Sequence, residues 1–260
     1  MNDENKISVV INTYNAERDL EQVLEAVKDF DEVLICDMES TDKTLDIARR
    51  YDCRIVTFPK ANHKSAEPAR TFAIQSATYD WVLVVDADEI VTPELRSYLY
   101  ARIREKDCPA GIYIPRLNRF MLRYTKSNSY DYQLRFFRKE GVTWPPYVHT
   151  FPSVNGRTEK IPHQMKEARF VHLADETISV LMRKTNAYTD SEMEKRAEKH
   201  YGLGALIGRP LWRFFRNYIL KMGFRDGMPG LIRAGMDAVY QFVLVAKIME
   251  QQYRNKNHHD

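Results

Sequence analysis

WVLVVDADEI, residues 81–90, opens with five apolar side chains and then sets three carboxylates, Asp86, Asp88 and Glu89, within four positions. An apolar run of this kind reads as a strand buried on both faces, as strands are in parallel sheets. Ending it in like charges is costly, because an unpaired carboxylate in a protein interior costs on the order of several kcal/mol. A positive charge is therefore expected where this strand ends.

The segments before it supply the rest of a sheet. ISVVINTY at 7–14 is a β-branched run, and after Asn15, which reads as an N-cap, Leu20, Val23, Leu24 and Val27 recur at helical spacing. DEVLICD at 31–37 repeats the strand, and STDKTLDIARRY repeats the helix with Ser40 or Thr41 as its cap. CRIVTF at 53–58 is a third strand, and SAEPARTFAIQSA at 65–77 a third helix with Pro68 in its first turn. WVLVVD is then the fourth strand, and Thr92 and Pro93 start another helix. Strands alternating with helices predict an α/β fold with a mostly parallel central sheet and flanking helices. After residue 110, GIYIPRLNRFML and YQLRFFRKE read as strands of a mixed, antiparallel extension, and from Asp175 onward the pattern is helical. The expected division is an α/β domain over 1–174 and a helical C-terminal extension over 175–260.

Composition narrows the class. The 260 residues are 44% hydrophobic, enough for a substantial core, and 39 Lys plus Arg against 36 Asp plus Glu give a net charge of only +3. That balance does not point to nucleic acid as a partner. Cys36, Cys53 and Cys108 are odd in number and widely spaced, fitting neither a disulfide framework nor a zinc site, and suit a reducing compartment. MNDENKISVV has acidic residues where a signal peptide needs basic ones, so a cytoplasmic location is expected. AVYQFVLVA, at 238–246, is far shorter than the ~20 residues of a spanning helix.

Open parallel sheets bind ligands beyond the C-terminal ends of their strands, which gathers Thr13 to Glu17, Asp37 and Asp86 to Glu89 on one rim. Asp86 and Asp88, separated by the small Ala87, suit a turning backbone that aims oxygen donors at Mg²⁺ or Mn²⁺, ions whose open positions phosphate oxygens fill. Such an ion would be the awaited positive charge. Acidic pairs at strand ends also serve as helix caps or solvated loop residues, and spacing alone leaves both readings open.

The series SVVINTYNAE, CDMESTDKT and PARTFAIQSATYDWVLVVDADE, in order and correctly spaced, resembles the family-2 glycosyltransferases with the A-type, Rossmann-like nucleotide-sugar fold. Among these, the likeness is to bacterial WaaE-type lipopolysaccharide-core glucosyltransferases, and it continues through YDYQLRFFRKEGV, YVHT, RFVHLADETISVLMRKTNAYT and RPLWRFFRNYILKMGFRDGMPGLIRA. The resemblance implies an inverting, metal-dependent enzyme that moves glucose from UDP-glucose onto a lipid-linked or envelope glycan, with Mg²⁺ or Mn²⁺ as cofactor. It implies Thr13, Asn15 and Glu17 around the nucleoside, Asp37 at the base edge, Asp86 near ribose and metal, and Asp88 as the direct metal ligand. Arg70 would line the donor pocket, Arg135 would lie near the diphosphate or acceptor, and His172 would reach the metal or diphosphate. Taken singly, each residue has a plainer role. Thr13 and Asn15 could start a helix, Asp37 could end a strand in solvent, Arg70 could be a surface charge, and Arg135 could stack on neighbouring phenylalanines. A histidine following valine, as in YVHT and FVHL, is commonly a packed core or loop residue.

One departure bears on mechanism. The resembled enzymes usually carry Glu after the His of a VHE motif, a natural base for deprotonating the acceptor hydroxyl, and this chain has Thr150 there. A threonine hydroxyl has no proton-accepting state of suitable pKa near neutral pH. Asp131, Glu89 and His149 remain as bases. A nucleotidyltransferase is a rival reading, but INTYNAE lacks the glycine-rich loop such enzymes use, and Thr150 also allows a non-catalytic nucleotide-sugar binder at a membrane. Finally, GRPLWRFFRNYILKMGFR at 208–225 has five basic residues and no acidic one. A helix over 209–222 would set Arg209, Arg213 and Arg216 opposite Leu211, Phe214, Phe215, Tyr218 and Met222. That pattern suits an anionic membrane surface, here the cytoplasmic face of the inner membrane, or a helix that closes a core.

Overall fold

The computed structural model describes residues 3–63, 65–124, 131–146, 150–196 and 199–257. The chain divides into two compact units: Met1–Leu117 with Asp131–Ala174, and Asn118–Tyr130 with Asp175–Asp260. The segment Asn118–Tyr130 thus groups with the helical C-terminal part, a return across the chain that no local pattern announces.

In the first unit, β1 (Ile7–Thr13), β2 (Glu32–Asp37), β3 (Arg54–Thr57) and β4 (Trp81–Asp86) form the parallel part of the sheet in the order β3-β2-β1-β4. All seven residues of β1 are buried, as a central strand covered on both faces requires. Its alternation sorts the core. Val9 and Ile11 join Leu20, Val23, Leu24 and Val27 of α1 (Leu20–Val27), Ile47 and Ala48 of α2 (Thr44–Arg50), and Leu95 and Leu99 of α4 (Pro93–Arg102). Val10 faces the other way, to Ala69, Ala73 and Ile74 of α3 (Glu67–Ser76). The result is helix, sheet, helix in three layers.

The later strands continue the sheet. β8 (Asp131–Arg138) runs antiparallel to β4 and to β6 (Gly111–Phe120), the antiparallel extension the sequence predicted. β5 (Glu89–Val91), β9 (Thr158–Lys160) and β10 (Phe170–Glu176) are too short or too polar to announce themselves; β10 pairs antiparallel with β5 and sets His172 opposite Glu89. Thr92 locks this corner: its hydroxyl caps α4 by accepting from Leu95 N–H at 3.3 Å, accepts from Arg169 N–H at 3.2 Å and donates to the Glu167 carbonyl at 2.7 Å. Thr92→Ala is therefore expected to cost about 1–2 kcal/mol, and Thr92→Ser to restore most of it, as read by urea denaturation.

Two expected caps fall elsewhere. Asn15 lies in the loop with φ +49° and α1 starts only at Leu20; Ser40 bonds Asp37, and α2 starts at Thr44. Asn15 is drawn to the Thr41 N–H, and Ser40 to Asp37 and the Asn15 N–H, in preference to the helix ends.

The second unit holds β7 (Arg123–Tyr124), paired with the end of β6, and three helices, α5 (Ile178–Lys195), α6 (Leu203–Phe215) and α7 (Met228–Asn257). α6 continues into a π-helical turn over Arg216–Leu220, so the helix expected over 209–222 runs to Leu220 with a change of winding in its second half. Gly230 has no room for a side chain, because a Cβ there would meet the Gly223 carbonyl. Among the described residues no helix is long and apolar enough to cross a membrane, and Cys36, Cys53 and Cys108 are free thiols.

Candidate functional site

β1, β2 and β4 end together. In their registers Thr13 lies beside Asp37, and Asn12 lies beside Cys36 on one side and Asp86 on the other. Beyond these ends opens a cleft of about 670 Å³ whose walls include Asn12, Thr13, Tyr14, Asn15, Lys60, Glu67, Arg70, Asp86, Ala87 and Asp88. This is the strand-end rim where α/β sheets bind ligands.

The positive charge that the buried end of β4 needs is supplied within the chain. Asp86 Oδ1 accepts from Arg70 at 2.7 Å and from Arg135 at 3.2 Å, and Asp86 Oδ2 accepts from Arg135 at 2.7 Å. Both guanidiniums are buried and lie over the Trp144 ring, 4.6 Å away for Arg70 and 5.3 Å for Arg135. Burial would raise the Asp86 pKa, but the charges of Arg135 and Arg70 outweigh it and hold the carboxyl well below its usual range. The sequence reading offsets the Asp86 charge with a metal; in the structure both of its oxygens accept from arginines.

Glu89 is fully buried, accepts from Arg116 at 3.0 Å and from the Asp86 N–H at 3.2 Å, and burial together with the charge of Asp86 pushes its pKa up. Arg116 also donates twice to Asp131 Oδ2, at 3.0 and 2.7 Å, while Gln133 donates to Asp131 Oδ1 at 2.6 Å. Asp88 turns elsewhere. Its Oδ2 lies 3.2 Å from His172 Nε2. Burial lowers the His172 pKa, but the hydrogen bond and charge of Asp88 raise it more, and the net shift is upward.

The loops carrying the remaining expected residues are laced to each other. Thr13 donates to the buried Asp37 at 2.8 Å, and Asp37 also accepts from Ser40 N–H at 2.8 Å and its hydroxyl at 2.6 Å. Asn15 Oδ1 accepts from Thr41 N–H at 2.8 Å, and Glu17 accepts from Lys43 N–H at 3.0 Å. Thr13, Asn15, Arg70, Asp86 and Asp88 thus share one cleft; Asp37 holds Thr13, Glu17 holds the Lys43 N–H, Arg135 grips Asp86, Glu89 accepts from the Asp86 N–H, His172 meets Asp88, and Asp131 joins through Arg116. His149 lies outside the described residues. Thr150 donates to the Pro145 carbonyl at 3.1 Å. Arg116 and Trp144 were not anticipated from the sequence. The surplus of carboxylates over cations at this rim was the signal that could have found Arg116.

The donor set at Asp88 fits a divalent ion in part. A carboxylate oxygen and an imidazole nitrogen 3.2 Å apart can occupy adjacent positions on one ion, leaving others for phosphate oxygens and water. No group of three or more His, Cys, Asp or Glu among the described residues is arranged to hold an ion.

Comparison with known proteins bears on the fold and the family. An uncharacterised glycosyltransferase of Rickettsia conorii is 24% identical over 97% of this chain and 93% of its own length. A mannosyltransferase from Pyrobaculum calidifontis, solved with GDP-Man and Mn²⁺, matches 94% of this chain and 87% of its own with a TM-score of 0.54 at 14% identity. The structure of Staphylococcus aureus TarS 1–349 matches 95% of this chain and 92% of its own with a TM-score of 0.50 at 16% identity. At these identities the structural likeness is one of fold, the A-type fold of glycosyltransferases. The model of glycosyl transferase family 2 matches residues 8–158, from the first residues of β1 into β9 and through the whole strand-end rim, and the chain belongs to that family.

Proposed function

We propose that this glycosyltransferase is an inverting, metal-dependent enzyme that moves glucose from UDP-glucose onto a lipopolysaccharide-core or other lipid-linked envelope glycan. The observation that carries the donor-site reading is the cleft at the ends of β1 and β4, about 670 Å³ in volume, which lies within the roughly 300–1,000 Å³ common for small-molecule sites. The donor and acceptor come from the sequence resemblance.

Asp88 and His172 would hold Mg²⁺ or Mn²⁺, which when bound neutralises charge on the diphosphate and makes it a better leaving group. The other groups belong to the chain. Arg70 and Arg135 fix the Asp86 carboxylate at the cleft wall, where it can accept from a ribose hydroxyl. The acceptor oxygen attacks the anomeric carbon opposite the diphosphate; the new C–O bond forms as the old one breaks, and its electron pair leaves with the diphosphate. The acceptor proton passes to Asp131. Of the two described carboxylates considered for this task, Asp131 is 33% exposed and Glu89 is 0% exposed, so an incoming hydroxyl can reach only the former. Glu89 then acts as the buried counter-charge that holds Arg116.

A donor screen tests this directly. Slow hydrolysis of UDP-, GDP- and dTDP-sugars with Mn²⁺ or Mg²⁺ needs no acceptor. Preference for UDP-glucose supports the proposal, and a preference for another nucleotide removes the donor assignment.

The second unit suggests where the acceptor is met. α6 and the turn after it expose Leu203, Ile207, Leu211, Trp212, Phe215, Ile219 and Leu220. Phe214 and Tyr218, expected on this face, are half-buried and stack on each other at 5.4 Å, while Trp212, Ile219 and Leu220 are exposed. An exposed apolar face on a segment that carries Arg209, Arg213, Arg216, Lys221 and Arg225 and no acidic residue suits the interface of an anionic bilayer, where each basic residue near the surface contributes about 1 kcal/mol. The protein is accordingly placed, in this proposal, at the cytoplasmic face of the inner membrane. Sedimentation with anionic vesicles is expected to show binding at low salt that weakens at high salt and is lost in an Ile207→Glu, Leu211→Glu double variant. Failure to bind at low salt would sink the idea.

A further inference from the structure

The second unit contains a turn whose residues are the wrong ones for its shape. β6 and β7 form a two-residue hairpin: Phe120 pairs with Arg123 and Arg119 with Tyr124, so Met121 and Leu122 alone make the turn. Both have positive φ, +49° and +60°, as a type I′ turn demands. Such turns select Asn-Gly, Asp-Gly or Gly-Gly, because a large side chain at positive φ crowds its own backbone. Met-Leu is therefore a strained pair, and the strain is held by contacts from the rest of the unit. The Leu122 N–H donates to Asp175 Oδ1 at 2.9 Å, and the Arg233 guanidinium of α7 lies over the ring of the buried Phe120 at 5.7 Å. The two turn side chains gain little burial in return, for Met121 is 40% exposed and Leu122 71%. Backbone strain of this kind clusters at functional positions, and an exposed apolar pair that strains its own turn calls for a partner outside the chain.

We infer that the Met121–Leu122 tip is a wedge that enters the headgroup layer of an anionic bilayer, a membrane contact separate in sequence from α6. This rests on the bilayer reading of the second unit. Charge complementarity selects the partner. LNRFMLRYTK, 117–126, has three basic residues and no acidic one. Arg123 is exposed next to the tip, Tyr124 is 41% exposed, and the Arg119 guanidinium lies over the Tyr124 ring at 6.0 Å. An apolar tip followed by arginines and a tyrosine repeats the order of a bilayer surface, acyl boundary first and phosphates behind it. A protein partner fits less well. A stable protein interface buries about 800 Å² on each side, of which two side chains supply a small part, whereas a bilayer needs no matching pocket.

The inference has two readouts that move in opposite directions. A Met121→Asn, Leu122→Gly double variant gives the turn the residues it favours and is expected to raise the Tm of the free protein by about 2–4 °C. The same variant is expected to bind phosphatidylglycerol-containing vesicles about tenfold more weakly at low salt, read by sedimentation over a range of lipid concentrations. Leu122→Trp, which keeps a large apolar tip, should bind at least as tightly as the unaltered protein. Vesicle binding that is unchanged in the double variant overturns the inference, and so does a loss of binding accompanied by a lower Tm, which would make the pair a structural element. A loss in Leu122→Trp as large as in the double variant also overturns it. The bilayer reading itself is tested separately: if the unaltered protein fails to sediment with the vesicles at low salt, that reading falls first and this inference falls with it. If binding is lost only in the Ile207→Glu, Leu211→Glu variant, α6 is the contact and the hairpin is not.

Discussion

Asp88→Ala is expected to abolish metal-dependent donor binding while leaving the fold intact. The three carboxylates at the end of β4 are not equivalent. Asp86 is held by two buried arginines and Glu89 by a third, so each is a member of a compensated internal network. Removing Asp86 would leave Arg70 and Arg135 without their carboxylate and is expected to destabilise the protein by about 3–5 kcal/mol. Asp88 is 33% exposed, and its ion-pair partner among the described residues is His172. Its removal leaves no buried cation uncompensated and relieves repulsion with two neighbouring carboxylates, so little stability is lost. What is lost is the carboxylate that would anchor an ion next to the diphosphate. Calorimetry with UDP-glucose, with Mn²⁺ and again with a chelator, decides the matter: the unaltered protein should bind more tightly with the ion, and the variant should show the same weak binding in both. A variant that keeps its Mn²⁺-dependent gain would remove Asp88 from the ion's coordination. Parallel melting curves exclude loss of structure as the cause.

How far the sequence spoke depended on the range of the interactions concerned. The parallel half of the sheet was legible because β1, β2 and β4 are apolar runs alternating with helical segments, the clearest being α1 with its apolar face of Leu20, Val23, Leu24 and Val27, and these signals are local. The rim was legible for the same reason: once the strands are parallel, Thr13, Asp37 and Asp86 must end together. The counter-ions were not. Arg116 and Arg135 come from β6 and β8, 27 and 49 residues from the carboxylates they meet, and no periodicity encodes that distance. Arg135 carried a signal, alternation with Phe136 and Phe137, that read equally as packing and as ligand contact. In the structure its guanidinium lies over Trp144 and grips Asp86. The split of unit boundaries at Asn118–Tyr130 and the π-helical turn after α6 were hidden similarly, since each depends on what the segment packs against.

Asp131→Asn is expected to lower kcat by ~10²–10⁴ with donor affinity nearly unchanged. The substitution keeps the size of the side chain and an oxygen for Arg116, which donates to Asp131 Oδ2 through both Nε and Nη2, but it removes the group that can take the acceptor proton. Arg116 itself stays charged, because the charges of Glu89 and Asp131 outweigh its partial burial and raise its pKa, so the mount on which Asp131 is held does not change with pH near neutrality. The variant should therefore bind UDP-glucose normally and retain the slow hydrolysis of donor by water to a greater degree than transfer to the glycan. Thr150→Glu is the companion. Thr150, which the sequence resemblance sets in the place of a carboxylate, donates to the Pro145 carbonyl. If Asp131 carries the proton, Thr150→Glu alone should leave kcat within a few fold, whereas Thr150→Glu placed in the Asp131→Asn background could restore part of the loss. Should Asp131→Asn keep full transfer activity, Asp131 is not the base, and the role passes to His149 or to a group on the acceptor itself.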